Sequence, residues 1–159
     1  LVGYGGTTAA LSNVLNAGWK FVAQPRRLLT FALDGDKSLP PSAPRDFTVN
    51  AVDDPALVLE EKAVATGRSL AIMCIACHGQ DMVGAGSPGP DLRESRLALS
   101  AESFWSVVHD GTLASRGMPA FPMLNREQVD SLHAYVRAAA REALGTRESS
   151  GAPGGVSGL

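Results

Sequence analysis

The chain has 159 residues, enough for one domain or for one domain with a fragment of another. Its 14 basic and 16 acidic side chains leave a formal charge of −2, which supplies neither the basic stripe needed for nucleic-acid binding nor an acidic, disordered run. No apolar stretch approaches the roughly 18 residues of a membrane span, so the sequence reads as soluble with no transmembrane segment.

The chain opens at Leu1 with no basic and apolar leader, which predicts a mature product or a piece of something longer. Residues 1–35 read as strand and turn: LVGYGG and RLLTFALDG are short apolar runs, each closed by a turn signal. So few strands cannot bury a face alone, so this part is expected to be the torn edge of a larger β domain. Residues 36–53 hold Pro40, Pro41 and Pro44 and few core residues, and read as an extended, proline-stiffened linker.

From Asp54 the pattern turns helical. Asp54 before Pro55 predicts an N-cap and a first helical position. Leu57, Val64, Leu70 and Cys74 then form an apolar stripe, with Gly67 as a point where the helix can break. Residues 79–92 are a Gly/Pro-rich loop. Ser100 is expected to cap a short helix over AESFWSVVHD, ended by Gly111. Asn125 with Gln128 resembles a capping box for the last helix, whose stripe is Val129, Leu132, Val136 and Ala140 and whose predicted end is Gly145. Residues 145–159 read as a disordered Gly/Ser/Pro tail. The expected class is therefore mainly α, with a helical unit over 54–144. That unit is small for an apolar core, and a buried cofactor would complete it.

The two cysteines stand in Cys74-Ile75-Ala76-Cys77-His78. This is the C-x-x-C-H spacing of covalent haem attachment. Two thiols three residues apart at a helix end face one side, where each can add to a porphyrin vinyl group, and His78 follows with an imidazole for the iron. A bare C-x-x-C also suits redox dithiols and half zinc sites. Zinc would need further ligands from His109 and His133 in an unusual arrangement, and a redox dithiol would need a βαβ context that is absent.

A low-spin electron-transfer haem closes its sixth position with Met or His. Met73 and Met82 lie too near the attachment site in sequence to reach the opposite face easily. Met118, in Arg116-Gly117-Met118-Pro119, is the candidate, ahead of Met123 and His109. Arg116, and less so Arg96, are candidate partners of haem propionates or plain surface charges. Trp105 reads as a core aromatic, with a propionate hydrogen bond as the alternative. His133 reads as a helix flank and Glu60-Glu61 as a solvated face. No nucleophile–base pair and no phosphate-binding loop occurs, so no catalytic residue is expected.

Taken together, CIACH, Gly89-Pro90-Asp91-Leu92, Gly117-Met118-Pro119 and Leu132-x-x-Tyr135-Val136 resemble a class I cytochrome c domain, in which three main helices surround haem c. The resemblance implies that the Pro90 carbonyl accepts the His78 Nδ1 proton, that Leu92 packs on the haem, and that the Tyr135 helix crosses the helix leading to the cysteines. With the apolar runs before the linker, and with GQDMVGAGSPGPDLR and DGTLASRGMPAF, the chain is similar to the C-terminal end of quinohaemoprotein (PQQ-dependent) alcohol dehydrogenases. There a β-propeller holding pyrroloquinoline quinone (PQQ) and calcium precedes a haem c domain. On that resemblance residues 1–35 are a propeller remnant, and PQQ and calcium belong to propeller parts outside this sequence. The implied role is a periplasmic relay of single electrons from the PQQ domain to an external acceptor, either a small redox protein or a quinone. A free-standing carrier cytochrome is the alternative.

Overall fold

The computed structural model describes residues 30–41, 48–84 and 89–149, with side chains described to residue 146 in the last helix. Four α-helices occur among them: α1 (Glu61–Leu70), the single turn α2 (Ile75–His78), α3 (Ala101–Val108) and α4 (Arg126–Ser149). Short 3₁₀ turns join them.

The caps of α3 and α4 follow from local chemistry. Ser100 Oγ accepts from Ser103 N at 3.2 Å, satisfying a donor that the first turn of α3 leaves free. At α4, Gln128 N donates to Asn125 Oδ1 and Asn125 N to Gln128 Oε1, both at 2.9 Å, a reciprocal capping box. The stripe Val129, Leu132, Val136 and Ala140 is fully buried, and the first three join Phe104, Val108, Leu124 and Tyr135 in the core. Each such aliphatic side chain contributes about 1.5–3 kcal/mol by leaving water.

Helix α1 packs chiefly on α4. Gly67 sits at the crossing: a Cβ there would lie 1.9 Å from Ser131 O and 2.8 Å from the Tyr135 Cβ. The glycine therefore does not break α1; it lets two helix backbones touch. The crossing of the Tyr135 helix over the helix leading to the cysteines is as expected.

Three boundaries differ from expectation. First, Asp54-Pro55 opens one turn rather than a helix, and α1 begins at Glu61. Asp54 Oδ1 accepts from Ala56 N at 3.0 Å, and the carbonyls of Asp54 and Leu57 both accept from Arg141 Nη2 at 3.0 Å. Carbonyls that a continuing helix would use are taken by a side chain from α4. Second, α4 runs through Gly145 to Ser149, so residues 145–149 are helical rather than a loose tail. A glycine costs a helix about 1 kcal/mol without forbidding it. Third, the end of the expected linker is held against the helices: Val52 N donates to Arg93 O at 2.9 Å, and Asn50 N to Glu94 Oε1 at 2.6 Å.

Of the expected β region, residues 1–29 lie outside the described residues. Residues 30–35 form no strand: a turn closed by Gly35 N to Ala32 O at 3.3 Å follows an exposed Phe31. An extended run without a partner strand leaves its backbone groups to water. No helix among the described residues is long and apolar enough to cross a membrane.

Candidate cofactor site

A largely apolar cavity of about 600 Å³ opens among the helices, within the usual size range of cofactor sites, roughly 300–1,000 Å³. Cys74, Cys77, His78, Pro90, Leu92, Arg116 and Met118 all line it. So do Phe104 and Val108 from α3 and Leu132 and Val136 from α4. Seven residues scattered over five local structures are thus brought to one cavity. A larger, more open hollow of about 870 Å³ has Arg68, Asp81, Arg93 and Glu142 in its lining and touches none of the seven.

The turn α2 places His78 at its last position, 6% exposed. Its Nδ1 donates to Pro90 O at 2.9 Å, which fixes the tautomer and leaves Nε2 as the lone-pair donor. Burial lowers the His78 pKa, against smaller opposing effects of the Pro90 bond and the Asp91 charge, which favours the uncharged imidazole that a metal needs. Gly89 makes this approach feasible. Its N–H donates to Cys77 O at 2.7 Å, and a Cβ would lie 2.5 Å from that oxygen and 3.1 Å from His78 Nδ1.

Behind the loop, Asp91 is buried and fully engaged. Its carboxylate accepts from Gly84 N at 3.1 Å, from Arg93 N at 3.0 Å, and from Arg93 Nε and Nη2 at 2.9 and 2.7 Å. A forked arginine–carboxylate pair of this kind is among the stronger polar contacts.

The second wall comes from the loop after α3. Phe121 N returns to Val108 O at 2.8 Å and Met118 N to Leu113 O at 3.3 Å. Gly117 has φ +95°, a left-handed conformation that glycine adopts without steric cost. Met118 is half-buried and packs on the core, whereas Arg116 stands exposed at the rim.

Several candidates fall away. Met123 is 72% exposed and does not line the cavity. His109 bonds Asp110 Oδ1 at 2.8 Å and stacks on Trp105, ring centroids 4.0 Å apart, and neither ring lines the cavity. Arg96 is exposed and likewise absent from the lining. His133 is a core residue rather than a flank: Nε2 donates to Ala98 O at 2.8 Å, and burial lowers its pKa. Among the described residues no group of three or more His, Cys, Asp or Glu side chains could hold a metal ion.

Sequence reasoning missed Met82 and Arg137. Met82 is 1% exposed in the cavity wall, at the end of two consecutive left-handed residues, Asp81 (φ 52°) and Met82 (φ 62°). Tyr135 Oη donates to Asp81 Oδ1 at 3.0 Å and holds that turn. No local pattern announces either feature.

The cysteines differ. Cys74 is half-buried, and burial with the nearby Cys77 pushes its thiol up to about 11; Cys77 is exposed. The thiolate is the reactive species. In haem-free protein, iodoacetamide is therefore expected to modify Cys77 well before Cys74 at pH 8, as peptide mass mapping of a time course would show.

The residues present fit a haem: two thiols and a neutral imidazole on one side, a thioether on another, and apolar walls between. Residues 62–136 match the family model described as cytochrome c oxidase, cbb3-type, subunit III. This stretch is a cytochrome c domain. The cytochrome domain and its flanks are 35% identical, over 137 residues, to the quinohemoprotein alcohol dehydrogenase ADH IIB of Pseudomonas putida, a match covering 86% of this chain and 19% of that protein. They are 33% identical over 128 residues to a lupanine 17-hydroxylase [cytochrome c] of a Pseudomonas species, covering 79% of this chain and 18% of the relative. The dehydrogenase subunit of a quinone alcohol dehydrogenase of Gluconobacter oxydans (strain 621H) is 31% identical over 145 residues, 89% of this chain and 18% of the relative. The chain thus spans about a fifth of the length of these relatives, and is homologous to the C-terminal part of quinohaemoprotein alcohol dehydrogenases.

Proposed function

We propose that this chain would hold haem c through thioether bonds to Cys74 and Cys77, with His78 and Met118 as the residues that would ligate its iron, and relays single electrons for a PQQ-dependent dehydrogenase. The observation that carries the reading is that all four side chains line one apolar cavity. When bound, the haem supplies a one-electron ferric/ferrous couple. Cys74 and Cys77 prevent its loss. His78, fixed by Pro90, offers Nε2 with strengthened basicity. Met118 offers a soft thioether, which favours the reduced iron and raises the potential. Leu92, Phe104 and Val136 would keep water from the ligands, and Arg116 would pair with a propionate carboxylate.

The names of the relatives, a quinohemoprotein and a quinone alcohol dehydrogenase, support a partner dehydrogenase domain in the same parent chain, to which PQQ and calcium would belong. The acceptor is a small redox protein or a quinone, and the compartment is the bacterial periplasm. This chain alone is not expected to oxidise alcohols. Residues 1–35 are assigned to the edge of that propeller, 36–53 to the connection and 54–144 to the haem unit.

A reduced-minus-oxidised spectrum of the chain matured with haem tests the reading. The expected result is a sharp low-spin α band, with colour that stays on the protein after acidified-solvent extraction. Met118→Ala should abolish the weak long-wavelength sulfur–iron band of the oxidised form. A chain that retains no haem overturns the cytochrome reading, and a band that survives in Met118→Ala overturns the ligand.

A further inference from the structure

Arg137 is 0% exposed, yet it carries a charge, and it does not itself line the cavity. Its fork joins two separate segments: Nη1 donates to Val52 O at 2.7 Å and Nη2 to Leu92 O at 3.2 Å. Burial works against this cation, and the carboxylate of Asp53 works for it. A cation is rarely buried only to fill space, because unpaired charge in an apolar interior is costly.

Each of the two segments has a second anchor. Residues 50–57, which lead into α1, are fastened to α4 by Arg141, whose Nε donates to Asp53 Oδ2 at 2.6 Å. They also meet the loop directly, through Val52 N to Arg93 O at 2.9 Å. The loop, in turn, carries the carbonyl of Pro90 that accepts from His78 Nδ1. Only Asp91 separates that carbonyl from the residue whose carbonyl Arg137 holds. One chain of contacts from residue 52 to the imidazole therefore passes through the Arg137 guanidinium, beside the direct bond from Val52 N to Arg93 O.

We infer that Arg137 is a positioning residue that couples the segment leading into the domain to the loop that orients His78, so that displacement of residues 50–53 reaches the haem ligand. The inference rests on the haem reading above. It gives the upstream part of the protein a route to the properties of the iron other than proximity. Arg137 uses the geometry of a fork, which lysine lacks: an ammonium keeps the charge but cannot span two carbonyls in one plane.

The test uses the full haem-loaded chain, with Arg137→Lys and Arg141→Ala. The α band, expected in both, reports whether the haem assignment holds independently of the coupling. In Arg137→Lys, amide exchange at Val52 should accelerate at least tenfold. The His78 Nδ1 proton resonance should shift, and the midpoint potential should move although the charge is conserved. In Arg141→Ala, which loosens the segment without touching the loop, the His78 resonance should shift in the same direction by a smaller amount. Faster exchange at Val52 with an unchanged His78 resonance and potential in both variants overturns the coupling. A chain without an α band overturns the haem reading instead.

Discussion

Gly67→Ala is expected to lower the free energy of unfolding by about 3 kcal/mol or more. The added methyl would stand 1.9 Å from a backbone oxygen of α4, and neither helix can yield there without parting from the other. Overpacking against a movable side chain costs about 1–3 kcal/mol, and backbone against backbone lies at or beyond the top of that range. For a domain whose total stability is of order 5–15 kcal/mol, that is a large share. Urea unfolding followed by circular dichroism would show the midpoint fall. Gly145→Ala is the internal control: nothing stands within 4 Å of its Cβ, and it is expected to stabilise by about 0.5–1 kcal/mol through helix propensity. A Gly67→Ala midpoint equal to wild type would mean that the crossing is looser than described.

On the proposed ligation of haem iron by His78, Gly89→Ala is expected to act on the iron rather than on the fold as a whole. Its methyl would press on the Cys77 carbonyl and on His78 Nδ1, driving the Pro90 loop away and breaking the 2.9 Å bond. That bond makes the imidazole a stronger donor, and stronger donation favours ferric iron. Its loss should therefore raise the midpoint potential. Loss of such outer partners typically changes metal affinity about 10–100-fold. If the loss falls on one oxidation state, tenfold corresponds to about 59 mV for a one-electron couple. Potentiometric titration of the haem-loaded variant reads the shift. A fall in potential, or none, would remove the proximal bond from the set of controls on the couple.

The parts of the site legible in the sequence are those with short-range grammar. Cys74 to His78 declare themselves by spacing, and Asn125 with Gln128 by the reciprocal needs of a helix start. The α4 stripe shows by its period. Met118 is set apart from Met123 in the sequence because Gly117 and Pro119 flank it; of the two, Met118 lines the cavity. What escaped depends on partners far away in the chain. Asp54-Pro55 has the local form of a helix start, but Arg141 claims the carbonyls that a helix would need. Gly67 looked like a weak point in α1 because only Ser131 and Tyr135, on another helix, explain it. His133 sat at the edge of the apolar stripe, and a single carbonyl of Ala98 made its burial acceptable. Arg137 has no local signature, because the two carbonyls that it spans, those of Val52 and Leu92, lie far off in the chain.

Helix α4 carries an unusual share of these duties. Ser131 and Tyr135 meet α1, Leu132 and Val136 wall the cavity, and Arg137 and Arg141 hold residues 50–57. Because these contacts alternate along one stretch of one helix, no layer of the domain is separated from the others by a slack joint. Thermal opening of the cavity must then disturb the helix crossing and the anchored segment together. The domain should melt as one cooperative unit, so calorimetric and van't Hoff enthalpies would coincide.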